Sequence, residues 1–174
     1  MDYGLDGMID RQFQYGLASD TPVAGDFNND GLTDIGVFRS GQWILDYGIN
    51  GVIDRRFQYG VGTDTPVVGD FNNDGLTDIG VFRSGEWILD YGIDRAVDNR
   101  FQYGVGTDTP VVGDFNNDGL TDIGVFRSGE WILDYRIDKV VDRRFQYGLG
   151  TDTPVAVNFN NDGLMDVGVF RITP

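Results

Sequence analysis

The chain has 174 residues, 28 of them acidic and 13 basic, and it contains neither histidine nor cysteine. Its net charge of −15 argues against nucleic-acid binding, which depends on clustered Lys and Arg, and the missing His and Cys remove the commonest acid–base and thiol groups of enzymes. No stretch approaches the roughly 18 apolar residues of a membrane span, and no signal-type segment follows Met1, so we expect a soluble chain without membrane insertion.

A nine-residue acidic run occurs four times. Its copies begin at Asp26, Asp70, Asp114 and, slightly altered, Asn158, so the period is 44 residues. A unit this short cannot bury a core alone, and its copies must pack against one another within a single domain, 1–174. The approximate repeats are 1–44, 45–88, 89–132 and 133–174.

The residues of one unit predict four short strands in chain order. Thr21–Gly25 is followed by the acidic loop, and Asp34–Arg39 is joined to residues 42–47 by a tight Ser40-Gly41 turn. A second loop leads to residues 56–60, where Phe57 and Tyr59 share one face of a strand. No stretch has a helical period.

These strands predict an all-β fold, a β-propeller of four-stranded antiparallel blades. Both faces of each small sheet are rather apolar, so each sheet must be covered by its neighbours, as in a propeller. The competing repeat fold, a parallel β-helix, has much shorter coils and no two-residue hairpins.

The two ends of the sequence complement each other. Residues 1–4 align with residues 45–48, so the N-terminal segment supplies an outer strand at residues 12–15, while the last repeat lacks its outer strands. Joining the two would remove exposed strand edges. This predicts either a closed four-bladed ring in one chain, with the N-terminal strand completing the last blade, or an eight-bladed ring in a homodimer.

The acidic run has the spacing of a calcium-binding loop. Side-chain oxygens occupy positions 1, 3, 5 and 9, a glycine stands at position 6, and the leucine at position 7 offers its carbonyl. Magnesium fits less well and zinc ligands are absent, whereas a turn capped by side chains is the simpler alternative. The predicted ligands are Asp26, Asn28, Asp30, Leu32 and Asp34; Asp70, Asn72, Asp74, Leu76 and Asp78; Asp114, Asn116, Asp118, Leu120 and Asp122; and Asn158, Asn160, Asp162, Leu164 and Asp166. The last set has two carboxylates instead of three, so we expect weaker binding there.

A second acidic loop imitates the first but lacks the ligand at position 3. Its copies contain Asp2/Asp6/Asp10, Asp46/Asn50/Asp54, Asp90/Asp94/Asp98 and Asp134/Asp138/Asp142. Arg95 and Lys139 replace glycine at position 6 of the later copies. We interpret this loop as a decayed copy or a solvated hairpin, and metal binding there stays open.

Residues 25–39, with the sequence Gly-Asp-Phe-Asn-Asn-Asp-Gly-Leu-Thr-Asp-Ile-Gly-Val-Phe-Arg, resemble the integrin-like FG-GAP repeat, also called the VCBS-type repeat. The likeness extends over every repeat of the chain. It implies a propeller blade whose acidic loop, between the two inner strands, binds calcium through the residues named above. It also implies roles in adhesion, carbohydrate binding or surface modules of microbial proteins.

These observations predict a non-catalytic, calcium-stabilised recognition module of the adhesion type, extracellular or on a cell surface, with a protein or glycan ligand. A multivalent lectin is one alternative. Because residues 56–91 are identical to residues 100–135, an engineered or excised scaffold without a ligand is another.

Two further series of residues recur with the repeat, and we expect structural roles for both. Trp43, Trp87 and Trp131 should fill the space between sheets rather than stack on sugars. The arginines at 39, 83, 127 and 171 should pair locally.

Overall fold

The computed structural model describes residue 1 and residues 6–172. Every regular element in this part of the chain is a β-strand, and none of it forms a helix long and apolar enough to cross a membrane. The strands are β1 (Thr21–Gly25), β2 (Asp34–Arg39), β3 (Gln42–Asp46), β4 (Arg55–Gln58), β5 (Thr65–Gly69), β6 (Asp78–Arg83), β7 (Glu86–Asp90), β8 (Asn99–Gln102), β9 (Thr109–Gly113), β10 (Asp122–Arg127), β11 (Glu130–Asp134), β12 (Arg143–Gln146), β13 (Thr153–Val157) and β14 (Asp166–Phe170).

The strands form four antiparallel sheets, each a meander in chain order. Three sheets have four strands, β1 to β4, β5 to β8 and β9 to β12, and the fourth has β13 and β14. The predicted strands of each unit are therefore confirmed to within a residue or two. The two-residue turn also has the expected shape, because Ser40 (φ 50°) and Gly41 (φ 87°) are both left-handed, as a type I′ hairpin requires.

Successive sheets pack face to face through a shared core. The first strands contact one another in series, β1 with β5, β5 with β9 and β9 with β13. One core cluster contains Trp43 and Leu45 of the first sheet with Ile79 and Val81 of the second, and similar clusters join the later sheets. Each sheet is thus covered by the next, which is the packing of propeller blades.

The N-terminal segment differs from the prediction. Residues 11–15 form no strand, although their counterparts in β4 do. A strand needs a hydrogen-bonded neighbour, and β4 has one in β3, whereas among the described residues only Met1 aligns with β3, and its carbonyl accepts from the N–H groups of Asp10 and Arg11. Tyr15 nevertheless lies beside Val23 and Val37 of the first sheet. Whether this segment completes the last blade stays a prediction.

The fourth sheet exposes side chains that the other sheets bury. Phe159 is 67% exposed, whereas its counterpart Phe71 is 3% exposed. Phe170 of β14 and Tyr147, which follows β12, are also exposed. Phe82, the counterpart of Phe170, packs against Trp87 of its own sheet, whereas the fourth sheet has only two strands in the described part of the chain and offers no such neighbour, so this end of the array has an uncovered apolar face.

Candidate cation-binding loops

Each acidic loop is closed by hydrogen bonds from its own backbone to its side chains. In the first loop, the Asp26 carboxylate accepts from the N–H groups of Asp30 (3.1 Å) and Gly31 (2.8 Å). The Asn28 side-chain oxygen accepts from Asp30 N–H (2.9 Å), and Asp30 Oδ1 accepts from Leu32 N–H (2.9 Å). The tight curl needs left-handed residues at Asn29 (φ 60°) and Gly31 (φ 85°), which are types that tolerate this region.

The aspartate at position 9 of the first three loops differs from the other predicted ligands because its carboxylate is fully buried. Asp34 is fully buried at the start of β2, and its Oδ2 accepts from Phe27 N–H (2.9 Å). Its Oδ1 is buried without any hydrogen-bond partner, and the same holds for Asp78 and Asp122. A buried polar oxygen left unsatisfied costs about 1–3 kcal/mol, so its recurrence at one position of three loops calls for a ligand.

Burial also perturbs the ionisation of these carboxyls. The pKa of Asp78 is raised to about 7, chiefly by desolvation and also by the nearby charges of Asp74 and Asp70. The hydrogen bond from the Phe71 N–H acts in the opposite direction and lowers it. The pKa of Asp122 is likewise raised to about 7, and that of Asp34 is raised for the same reasons. A cation beside these groups would reverse the shift, because it favours the charged form.

The acidic loops have the oxygen donors of a cation site but not its closed arrangement. Among the described residues, no three acidic side chains converge closely enough to form a metal centre in the present arrangement. The donor set nevertheless suits calcium, since the predicted ligands of each loop lie in one turn and a carboxylate oxygen that accepts one N–H keeps a second lone pair. With the partnerless Oδ1 atoms of Asp34, Asp78 and Asp122 added, the residues fit the ion, and the site itself stays a prediction.

The fourth loop is a weaker version of the others. Asn158 accepts from Asp162 N–H (3.2 Å), but its amide nitrogen stands where the second carboxylate oxygen of Asp26 accepts from Gly31. Asp166 is only partly buried. The structure therefore adds a loss of burial to the loss of charge that the sequence predicts at this site.

The stability of the calcium-free protein should fall as pH rises from about 4 to about 7. Asp78 and Asp122 have a folded pKa of about 7, above the value of 3.8 for a free carboxyl, so in this interval the folded state binds more protons than the unfolded chain. Their protonation therefore stabilises the fold at low pH, and the gain is lost as they ionise. Denaturant titrations at several pH values in the presence of a chelator would measure how the free energy of unfolding changes with pH.

The control for this pH effect is the variant Asp78→Asn/Asp122→Asn, which should flatten the slope between about pH 4 and 7. Below this interval the opposite trend sets in, because Asp152 has its pKa lowered to about 2 by the Arg171 guanidinium. An unchanged slope in the double variant would show that other groups cause the dependence.

The second acidic loop is saturated by its own backbone. Asp90 is fully buried and accepts from the N–H groups of Gly92 (3.3 Å), Asp94 (3.1 Å) and Arg95 (2.7 Å). Asp46 and Asp134 are equally buried and make the same set of bonds. These carboxylates satisfy hairpin N–H groups, which favours the structural interpretation of this loop. Its first copy begins at Asp2, which lies outside the described residues.

Replacing Arg95 and Lys139 by glycine should stabilise the protein. Both residues are left-handed (φ 75° and 72°), at the position that Gly51 occupies with φ 82° in the first copy. An L-residue in this region costs about 1–2 kcal/mol, and part of the gain is offset by the larger entropy of glycine in the unfolded chain. We expect the double variant Arg95→Gly/Lys139→Gly to gain about 1 kcal/mol or more in denaturant unfolding. The reverse change at a single site, Gly51→Arg, should destabilise by about half as much.

The arginine series forms ion pairs, which confirms the prediction of local pairing. Arg39 binds the carboxylate of Asp20 with two bonds of 2.7 Å, and the equivalent arginines bind Asp64, Asp108 and Asp152. The partner is the aspartate of the turn before each first strand, not the acidic loop. The sequence predicted the pairing but not this partner, although both residues recur with the same period and stay 19 residues apart.

The tryptophans are core residues, as predicted. Trp43, Trp87 and Trp131 are each 0% exposed. The indole N–H of Trp87 donates to the carbonyl of Tyr103 (2.9 Å), and its ring meets Phe82 edge to face at 5.4 Å. A side chain buried in this way offers no platform for a sugar ring.

Comparison with known proteins supports the fold class. No family model and no curated protein matches the chain. Among solved structures, BBS1N in complex with ARL6DN is similar, with a TM-score of 0.60, 10% identity, and coverage of 89% of this chain and 52% of that chain. An Agrocybe aegerita lectin that recognises non-reducing terminal N-acetylglucosamine has a TM-score of 0.56, 15% identity, and coverage of 83% and 44%. The chain thus spans about half the length of each, and the likeness defines an all-β, β-propeller-like fold.

Proposed function

We propose that the chain is a calcium-stabilised β-propeller module for recognition, related to the FG-GAP or VCBS-type repeats and lacking catalytic activity. The buried, partnerless Oδ1 of Asp34, Asp78 and Asp122 is the observation that carries the proposal, because calcium would satisfy this oxygen and the loop charges together. The remaining ligands are those predicted for each loop, from Asp26 to Asp166. Calcium would hold together the two strands that flank each loop by its electrostatic attraction to the loop carboxylates.

Calcium dependence points to a location outside the cell or on its surface. Modules of this kind bind calcium with dissociation constants of about 0.1–1 mM, so extracellular levels fill them and cytosolic levels do not. At 100 times the dissociation constant, each ion adds about 2.7 kcal/mol to the stability. Equilibrium dialysis against millimolar calcium tests the proposal: three strong sites and a weaker fourth support it, and no bound ion contradicts it.

We expect no enzymatic activity because every candidate chemical group recurs in near-identical copies. An active site normally needs a set of residues that is unique to one place. Screening for hydrolysis of simple esters, glycosides and phosphates would test this expectation.

A glycan ligand is the second candidate, and a groove between blades favours it. The groove, of about 290 Å³, lies between the end of β4, at Gln58 and Tyr59, and the start of β8, at Val97 and Arg100. The similar lectin recognises N-acetylglucosamine, which makes this sugar the first probe. Binding on a glycan array that is lost in Arg100→Ala and retained in Arg11→Ala, an arginine of the N-terminal segment outside the groove, would support the lectin role. No binding to any glycan would favour a protein ligand.

We propose the same two forms of ring closure that the sequence predicts, a four-bladed ring in one chain or an eight-bladed ring in a homodimer. The exposed Phe159 and Phe170 need a cover, which either the N-terminal end of the same chain or that of a second copy would supply. Mass determination by light scattering separates a four-bladed monomer from an eight-bladed dimer.

A further inference from the structure

Neighbouring acidic loops are joined by reciprocal hydrogen bonds between blades. The backbone N–H of Asp26 donates to Thr77 Oγ1 (3.0 Å), and the backbone N–H of Thr77 donates to the carbonyl of Asp26 (3.0 Å). Asp70 and Thr121 repeat this pair of bonds at 3.0 Å and 2.8 Å. Position 1 of one loop is therefore bonded to position 8 of the next loop.

The bonded residues are next to the groups that would hold the ion. Asp26 is the first predicted ligand of its loop, and Thr77 directly precedes Asp78, whose Oδ1 is buried without a partner. A shift of the Asp26 backbone would consequently move Thr77 and the attached Asp78. When an ion orders one of two loops linked in this way, the other loop can become ordered at the same time.

Close packing leaves little freedom at this junction. A Cβ built on Gly25, the residue before Asp26, would lie 2.4 Å from Thr77 Cγ2, and one built on Gly69 would lie 2.4 Å from Thr121 Cγ2. The glycine lets the backbone of one blade approach the threonine of the next. The connection is thus rigid enough to transmit a local change.

The two ends of the array break this pattern. Thr33 holds the same position in the first loop but is exposed, and no earlier copy of this loop precedes it in the described residues. At the other end Met165 replaces the threonine, so its N–H donates to the carbonyl of Asp114 (2.9 Å) while the hydroxyl contact is lost. The described part of the chain therefore contains two full junctions and one half junction.

We propose that Thr77 and Thr121 are positioning residues that couple the three carboxylate-rich loops, so that calcium binds them cooperatively. This inference rests on the calcium sites proposed above. An ion in one loop orders the residue at position 1, and the paired bonds then hold the next loop in its binding form. Because the second loop is then already ordered, it loses less conformational entropy when it binds an ion, and its affinity for calcium rises.

The test compares calcium isotherms of the wild type and of Thr77→Met/Thr121→Met, measured by titration calorimetry. Methionine is the chain's own residue at position 165, so the fold accepts it in this turn. The wild type should have a Hill coefficient above 1, with the affinity of later ions raised by about five-fold or more. In the double variant the coefficient should fall toward 1 with the number of bound ions unchanged.

Two further variants separate coupling from simple destabilisation. Thr33→Met makes the same change where no junction exists, and it should keep the wild-type cooperativity. Thr77→Ser/Thr121→Ser retains both hydroxyls and should restore the coefficient to the wild-type value. A non-cooperative wild type, or a methionine variant that remains as cooperative as the wild type, would overturn the coupling while leaving the calcium sites intact. If no calcium binds at all, the proposed function and the coupling are both wrong.

Discussion

Replacing Asp34, Asp78 and Asp122 together by asparagine should abolish most of the stabilisation by calcium. Each variant site loses the charge of its buried oxygen, which is the group that most needs the ion. At calcium concentrations 100 times the dissociation constant, three sites contribute about 8 kcal/mol, which corresponds to a shift of roughly 15–30 °C in Tm for a domain of this size. Thermal melts of the variant with calcium and with chelator should nearly coincide.

The matched control removes the same three charges from the second loops. Asp54→Asn/Asp98→Asn/Asp142→Asn changes exposed carboxylates, each of which accepts one backbone N–H through an oxygen that asparagine retains. This control should keep the full response to calcium. An equal loss of response in both triple variants would show that calcium acts by diffuse screening of the net charge, and would contradict the proposed sites.

Truncating Trp87 should cause the largest loss of stability among single core changes. The side chain is fully buried, packs against Phe82 and donates its N–H to a backbone carbonyl of the outer segment. Trp87→Ala removes this volume from the contact between sheets, and we expect a cost of about 3–5 kcal/mol in denaturant unfolding.

Trp87→Phe is the companion variant, because it keeps an aromatic ring and loses the N–H. It should cost less than the alanine variant, and the difference between the two separates packing from hydrogen bonding. A cost below about 1 kcal/mol for Trp87→Ala would show that the indole is not a core residue, and would restore the sugar-stacking interpretation.

Much of the fold could be predicted because each repeat carries its own local signals. Aromatic and β-branched residues predicted β3, the alternation of Phe57 and Tyr59 predicted β4, and Ser40-Gly41 predicted the hairpin between β2 and β3. A 44-residue period then required the sheets to cover one another. The segment 11–15 shows where this reasoning stops, since it differs from residues 55–59 only at Gln12 but lacks the paired strand that β4 has.

The candidate site was predictable in its donors but not in its surroundings. Spacing alone identified the loop from Asp26 to Asp34, whereas the burial of Asp34 depends on the packing of β2 between β1 and β3. Thr77 carried no signal, because its partner Asp26 is 51 residues away and belongs to another blade. Contacts of this kind arise from stacking of repeats, which local patterns do not describe.

The central claim is that calcium stabilises this array of blades, and a pair of thermal melts on the unmodified chain tests it most directly. One melt contains millimolar calcium and the other contains a chelator, with bound metal measured on the same preparation. With dissociation constants of about 0.1–1 mM, three ions contribute about 1–4 kcal/mol in millimolar calcium. We therefore expect the Tm in the chelator to be lower by roughly 3–15 °C, and ions bound at the three carboxylate-rich loops in the calcium sample. Coincident melts and no bound metal would contradict the claim and leave the acidic loops as turns held by their own hydrogen bonds.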